Sequence, residues 1–289
     1  MEKGLVSVTF RQKKPEEIIT LATQAGLTAI EWGGDIHVPH GDVKTAKVVG
    51  EMTRKAGLTA VSYGSYYKCL PGELTFDAVL ETAEALGAKV IRVWAGNKDF
   101  DKAEEEKRNQ VYEALRYAVE AAGSRGITVA TEMHRNTLTN SLEGALTMLE
   151  KVPGLMTYWQ PSSQRTLEEE CAIISRLGKY IVGTHIAYWK ENVQYPLADA
   201  RERLERYIDV LNRESRAGFM LLEFVAGHSV QQFYEDAHIL LNPKCCYEEP
   251  YAECVQRRAY IQTGGNPVRL RPSQSAVASL GWAAGNNAC

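Results

Sequence analysis

The chain has no strong surplus of either charge, no long apolar run and no cysteine framework. Among 289 residues the formal net charge is −3, with a pI near 6.1. No basic surplus therefore marks nucleic acid as the main partner. No stretch approaches the roughly 18 consecutive apolar residues of a membrane-spanning helix. The opening segment MEKGLVSVTFRQKKPEE goes straight into an apolar pattern and lacks the long apolar region of a signal peptide, which points to a cytoplasmic protein. The six cysteines are too sparse for a disulfide scaffold. Cys69 and Cys171 stand alone, and Cys245, Cys246, Cys254 and Cys289 crowd toward the C-terminus without CxxC spacing.

What is present is a regular alternation. Short apolar runs rich in β-branched and aromatic residues occupy 5–10, 29–34, 59–65, 90–96, 128–134, 156–161, 181–189 and 219–225. Helical periods lie between them. PEEIITLATQAG (15–26) has proline in its first turn and glycine past its end. The segment 104–126 repeats apolar residues at Val111, Leu115, Ala118, Val119 and Ala122. Strands alternating with helices imply a parallel sheet, because each parallel connection needs a crossover. Eight such units predict an α/β chain with a single (β/α)₈ TIM barrel over residues 1–241. An open doubly wound sheet fits less well, since the first βα turn, TFRQKKPEE, lacks the G-x-G-x-x-G phosphate loop.

Beyond residue 241 the pattern stops. No acidic residue follows Glu253, and neither an amphipathic period nor a ninth βα unit appears. Residues 242–289 are expected to form a C-terminal extension, partly disordered or foreign to the barrel, with a short helix within 247–262 and no regular structure over 263–289.

In a barrel of this kind active sites sit at the C-terminal ends of the strands. There the fifth run presents Glu132 and His134, the sixth Gln160, the seventh His185 and the eighth Glu223. A single polar residue at a strand end is ordinarily a hydrogen-bonding group. Four on consecutive strands are a different matter, and a carboxylate within LLEFV needs a cation or strong partners. Glu132, Gln160, His185 and Glu223 form a carboxylate, amide and imidazole set suited to one divalent metal ion: Mn²⁺, Mg²⁺, Co²⁺ or Zn²⁺.

The segments IEWGGDIHVPHGD (30–42), SYGSYY (62–67), IRVWAG (91–96), EMHRNTLT (132–139), YWQP (158–161), THIAYW (184–189) and LLEFV (221–225) together resemble the xylose-isomerase-like TIM-barrel superfamily. This is the sugar phosphate isomerase/epimerase group, with ketose 3-epimerases, hydroxypyruvate isomerases, inosose dehydratases and apurinic-site endonucleases among its members. The resemblance places the metal ligands on Glu132, Gln160, His185 and Glu223. It implies a sugar isomerase or epimerase that moves a proton α to a carbonyl through a metal-stabilised enediolate, with Glu132 and Glu223 as the catalytic base and acid. Gln160 departs from the epimerases, which usually carry aspartate there, and leaves one negative charge fewer at the metal.

Three further residues are candidates for substrate contact. His134 stands beside Glu132. Trp94, ending the fourth run, offers a wall for a sugar face or packs beneath the helices. His37, in the loop after the second run, meets substrate or fixes its own loop. Lys190 reaches a phosphate or stays solvated, and without a clear basic cluster the substrate is expected to be unphosphorylated or singly charged. The expected partner is a small sugar or sugar derivative, with no nucleic acid and no membrane, and a homo-oligomer is compatible with the sequence. Two alternatives keep the fold: a metal-dependent dehydratase of a cyclic polyol ketone, and a non-catalytic sugar-binding barrel. Phosphodiester cleavage by a three-metal cluster uses several histidines, some from the third and fourth strands, which here end in Tyr63-Gly64-Ser65 and Trp94-Ala95-Gly96.

Overall fold

The regular alternation of strand and helix patterns closes into a ring in the computed structural model, which describes residues 1–72 and 74–244. The barrel strands are β1 (Glu2–Val6), β2 (Ala29–Gly33), β3 (Thr59–Gly64), β4 (Val90–Val93), β5 (Thr128–Glu132), β6 (Met156–Trp159), β7 (Ile181–Ile186) and β10 (Phe219–Leu222). Each pairs in parallel with its neighbours, and β10 returns to β1 through Glu2↔Phe219 and Leu5↔Leu222. Eight helices cover the outside: α1 (Pro15–Gln24), α2 (Val43–Lys55), α3 (Phe76–Leu86), α4 (Glu105–Gly123), α5 (Leu142–Lys151), α6 (Leu167–Leu177), α7 (Arg201–Glu214) and α8 (Val230–Leu241). The expected (β/α)₈ barrel is thus observed. The expected C-terminal extension lies, from residue 245 onward, outside the described residues. No helix among the described residues is long and apolar enough to cross a membrane.

Helix α3 illustrates the local logic. Thr75 accepts a hydrogen bond from the Ala78 amide at its start. Phe76, Val79, Leu80, Ala83 and Leu86 then recur at helical spacing and are buried. Gly87, at φ 80°, ends the helix in a left-handed conformation that a side chain would strain.

In two of the runs the expected strand gives way to another element. The first run was expected as a strand over 5–10, but β1 ends at Val6 and residues Ser7–Phe10 form a 3₁₀ turn. The cause is polar: Ser7 Oγ accepts the Gly33 amide at 2.9 Å, and Thr9 Oγ1 accepts the Phe224 amide at 2.9 Å. Both hydroxyls serve loops at the rim instead of extending the ladder. The seventh run, expected as one strand over 181–189, breaks after Ile186 into a hairpin of β8 (Tyr188–Lys190) and β9 (Val193–Tyr195). Its two turn residues, Glu191 and Asn192, lie at φ 51° and 63°, the left-handed pair of a type I′ turn, whose twist matches that of paired strands.

Inside the barrel, side-chain alternation builds layers. Val6, Ala29, Val90, Ala130, Phe219 and Leu221 belong to a buried apolar cluster. Two residues further along four of these strands the same inward position is charged: Ala29 leads to Glu31, Val90 to Arg92, Ala130 to Glu132 and Leu221 to Glu223. The apolar layer is the floor on which the charged layer rests.

One buried carboxylate lies away from this layer. Asp236 on α8 accepts hydrogen bonds from the Leu197 amide at 2.8 Å and the Gln232 side chain at 2.9 Å. Burial, opposed by these two bonds, pushes its pKa up to about 6. A raised carboxylate pKa contributes stability that is complete below the unfolded pKa near 3.8 and is lost as pH rises through about 6. Two units correspond to about 3 kcal/mol at most. Between pH 4 and 7 urea denaturation is expected to show the wild type losing stability that Asp236→Asn does not lose. Parallel profiles for the two proteins would disprove this assignment.

Candidate functional site

The charged layer is an interlocked set. Arg92 Nε donates to Glu31 Oε1 at 2.9 Å, and Arg92 Nη1 donates to Glu132 Oε2. His185 stands between the carboxylates. Its Nε2 lies 3.4 Å from Glu31, and its Nδ1 lies 3.5 Å from Glu132 Oε1 and 3.4 Å from Glu223 Oε2. Burial is graded: Glu31 and His185 have 0% and 1% of their side chains exposed, Glu132 4% and Glu223 16%. Glu223 therefore marks the open side, from which a substrate would arrive.

Tyr66 covers Arg92, with the guanidinium carbon 5.2 Å from the ring centre. Tyr158 presents its ring edge-on to His185 at 5.1 Å and donates its hydroxyl to Ser62 Oγ at 2.7 Å. Gly64 leaves room for the set, since a Cβ there would lie 2.8 Å from both Arg92 Nη2 and Glu31 Oε1. Tyr66 and Phe224, at φ 56° and 63°, hold left-handed conformations beside the charged layer. Such strain costs on the order of 1–3 kcal/mol per residue and persists where its surroundings enforce it.

The electrostatics follow from that geometry. Burial raises the Glu31 pKa, but Arg92 and His185 outweigh it and hold the carboxyl down at about 2. Burial likewise works against ionisation of Glu132, and Arg92 again reverses the effect, taking it well below the usual carboxylate range. Burial lowers the His185 pKa, while the Glu223 and Glu31 carboxylates pull it well above its ordinary value. Carboxylates thus create a strong preference for positive charge at the imidazole.

Glu132, His185 and Glu223 offer ligand atoms that all lie within 4.8 Å of one another. His185 Nδ1 is buried and makes no hydrogen bond, although it faces two carboxylates. Three carboxylates against one guanidinium leave two negative charges when His185 is neutral, which one divalent cation balances. An orphaned ring nitrogen and a matching charge deficit make this donor set fit such an ion.

The chain matches the family model described as xylose isomerase-like TIM barrel over residues 19–162. Solved structures of the same architecture cover most of it. The probable 3-DHS dehydratase AsbF involved in petrobactin synthesis, from Bacillus anthracis, has a TM-score of 0.69 at 17% identity, over 84% of this chain and 99% of that one. The chain is a xylose isomerase-like TIM barrel. D-allulose 3-epimerase from Methylomonas sp. aligns with a TM-score of 0.64 at 13% identity, over 85% and 98% of the two chains. AP endonuclease, family 2 from Brucella melitensis aligns with 0.59 at 16%, over 78% and 93%. At these identities the likeness shows the fold alone. No curated protein matches the sequence.

Within this xylose isomerase-like barrel the sequence candidates fall into different places. Glu132, His185 and Glu223 converge. Gln160 follows β6 and donates its side-chain amide to the Met133 carbonyl at 2.8 Å, so its nitrogen is engaged and its oxygen is the atom left to act as a ligand. His134 stacks on Trp94, with ring centres 4.7 Å apart and planes 22° apart, and its Nδ1 contacts the Arg135 carbonyl at 2.7 Å. His37 is buried, with Nδ1 on Ser7 Oγ at 2.9 Å and Nε2 on the Lys13 carbonyl at 3.1 Å. Both its nitrogens are spent on the fold.

Glu31 and Arg92 belong to the charged layer, and strand-end reading passed over them. The signal was available. Each is a charge inside an otherwise apolar run, AIEWG and VIRV, the same anomaly that singles out Glu223. Counting inward positions by twos along β2 and β4 would have found both.

Proposed function

We propose that this protein is a divalent-metal-dependent isomerase or epimerase of a sugar or sugar derivative, working by proton transfer. The observation that carries this reading is His185 Nδ1, buried without a hydrogen bond between Glu132 and Glu223. Glu132, Gln160, His185 and Glu223 would hold the ion, which when bound would polarise a substrate carbonyl or hydroxyl and lower the cost of removing the neighbouring proton.

The two glutamates are not equivalent. Glu132 has one oxygen committed to Arg92, whereas among the described residues Glu223 pairs with no guanidinium, and it lies at the open side. Glu223 takes the first proton. Glu132, steadied by Arg92, works from the other face and delivers there a proton taken up from solvent. Glu31 faces His185 Nε2 while Nδ1 faces the cation position. That arrangement favours the tautomer with the proton on Nε2 and the lone pair on Nδ1. The His134–Trp94 stack supplies a flat wall for a sugar face.

Dehydration of a cyclic polyol ketone is the second reading, because it begins with the same proton abstraction and the fold is shared with a probable 3-DHS dehydratase. The products distinguish the two, a dehydrated enone absorbing in the ultraviolet where an epimer does not.

The direct test of the metal is thermal unfolding of chelator-treated protein titrated with Mn²⁺, Mg²⁺, Co²⁺ and Zn²⁺. At a hundred times its Kd, one bound ion adds about 2.7 kcal/mol, which for a domain of this size raises Tm by about 5–10 °C. His185→Ala should abolish the rise. Four flat titrations of the wild type would remove the metal reading.

A further inference from the structure

A second site lies beside the C-terminal ends of β6 and β7. A cavity of about 190 Å³ opens between the loop after β6, the β8–β9 hairpin and α7. Ile186 and Pro161 line it, and these directly follow His185 and Gln160 in the chain. Three cations from three separate elements also line it: Arg165, Lys190 and Arg203.

The site is braced from beneath. Glu170, fully buried, accepts the Ser162 amide at 2.7 Å, Trp159 Nε1 at 3.0 Å and Arg165 Nη1 at 3.2 Å. One carboxylate thereby fixes both the loop and the first guanidinium. Arg203 Nε donates to the Tyr207 hydroxyl at 3.1 Å, and its Nη2 donates to the Arg165 carbonyl at 3.0 Å, so the second guanidinium is held by neutral partners. Among the described residues neither Arg203 nor Lys190 makes an ion pair. Three cations thus stand against a single carboxylate that is itself saturated. Pre-positioned guanidinium groups that share one saturated carboxylate, beside a cavity the size of a small polyatomic group, are what an oxyanion requires.

We infer that this crevice is an anion subsite, and that the substrate processed at the charged layer carries a phosphate or carboxylate which Arg165, Arg203 and Lys190 hold. The inference rests on the proposed isomerase or epimerase reading for the identity of the substrate, but the anion binding itself does not. It also narrows the expectation of an unphosphorylated or singly charged substrate to a charged one, since the basic cluster missing from the linear sequence is assembled by the fold.

The test is calorimetric titration of the full chain, without added metal, with inorganic phosphate and with glycerate. At least one should bind saturably, and the tighter one assigns the phosphate or the carboxylate class. Arg203→Gln should weaken that binding by about tenfold or more, the size expected for one charge-assisted contact. Lys190→Gln, on an exposed side chain whose loss does not threaten folding, should weaken it severalfold. Glu132→Gln, in the charged layer, should leave it unchanged, so that a failed metal site and a failed anion site are told apart. Absence of saturable binding by either anion, or binding that survives both Arg203→Gln and Lys190→Gln, would overturn the inference.

Discussion

In D₂O, Glu223→Gln is expected to stop exchange of the substrate hydrogen α to the carbonyl, while Glu132→Gln keeps exchange at one face and loses net epimerisation. Glutamine can still coordinate a cation through its carbonyl oxygen but cannot accept a proton. Loss of a positioned base typically costs about 10²–10⁴ in rate, so each of these losses should be a fall of that size. The asymmetry follows from the partners. Arg92 donates to Glu132, and Glu223 has no such donor among the described residues and is the more exposed of the two. Solvent deuterium measured by NMR, with metal content checked in each variant, decides the matter. Product formed by the wild type with no solvent deuterium would indicate a hydride shift and end the two-glutamate proposal.

Arg92→Met should be the most destabilising single change in the charged layer. Arg92 is buried and answers two buried carboxylates, Glu31 and Glu132. Removing one partner of a buried ion pair costs about 3–5 kcal/mol, because the remaining charge is left uncompensated. Glu31→Gln added to Arg92→Met removes one of those charges and should recover about 1 kcal/mol or more, a coupling in the usual range for residues in one network. Urea denaturation of the four proteins of this cycle, in chelator, measures it. An Arg92→Met protein within 1 kcal/mol of wild type, or a double variant no more stable than the single one, would show that the guanidinium is not what makes the layer tolerable.

The barrel was legible because its signal is periodic and redundant. Eight apolar runs with helices between them survive errors at any one boundary, and the errors that did occur have local causes. β1 stops early because Ser7 and Thr9 bond loop amides. The hairpin after β7 was hidden because Glu191-Asn192 lacks the glycine that usually announces a type I′ turn. Glu132, His185 and Glu223 were legible at strand ends, while Glu31 and Arg92 were missed because attention to strand ends ignores charges one pleat deeper. The basic crevice could not be read at all. Arg165, Lys190 and Arg203 belong to a loop, a hairpin and a helix, and nothing in their spacing says that they meet.

The β8–β9 hairpin has a consequence for how a barrel of this kind diversifies. It closes on itself through its own ladder, Tyr188↔Tyr195 to Lys190↔Val193, and takes no part in the barrel's hydrogen bonding. It nevertheless supplies Tyr188, Trp189 and Lys190 to one wall of the crevice. Selection can therefore rewrite this ribbon, residue by residue or as a unit, without disturbing the register that aims Glu132, His185 and Glu223. On the proposed reading the proton-transfer groups would be fixed by the strands, while the Lys190 share of the anion subsite would ride on a separate ribbon.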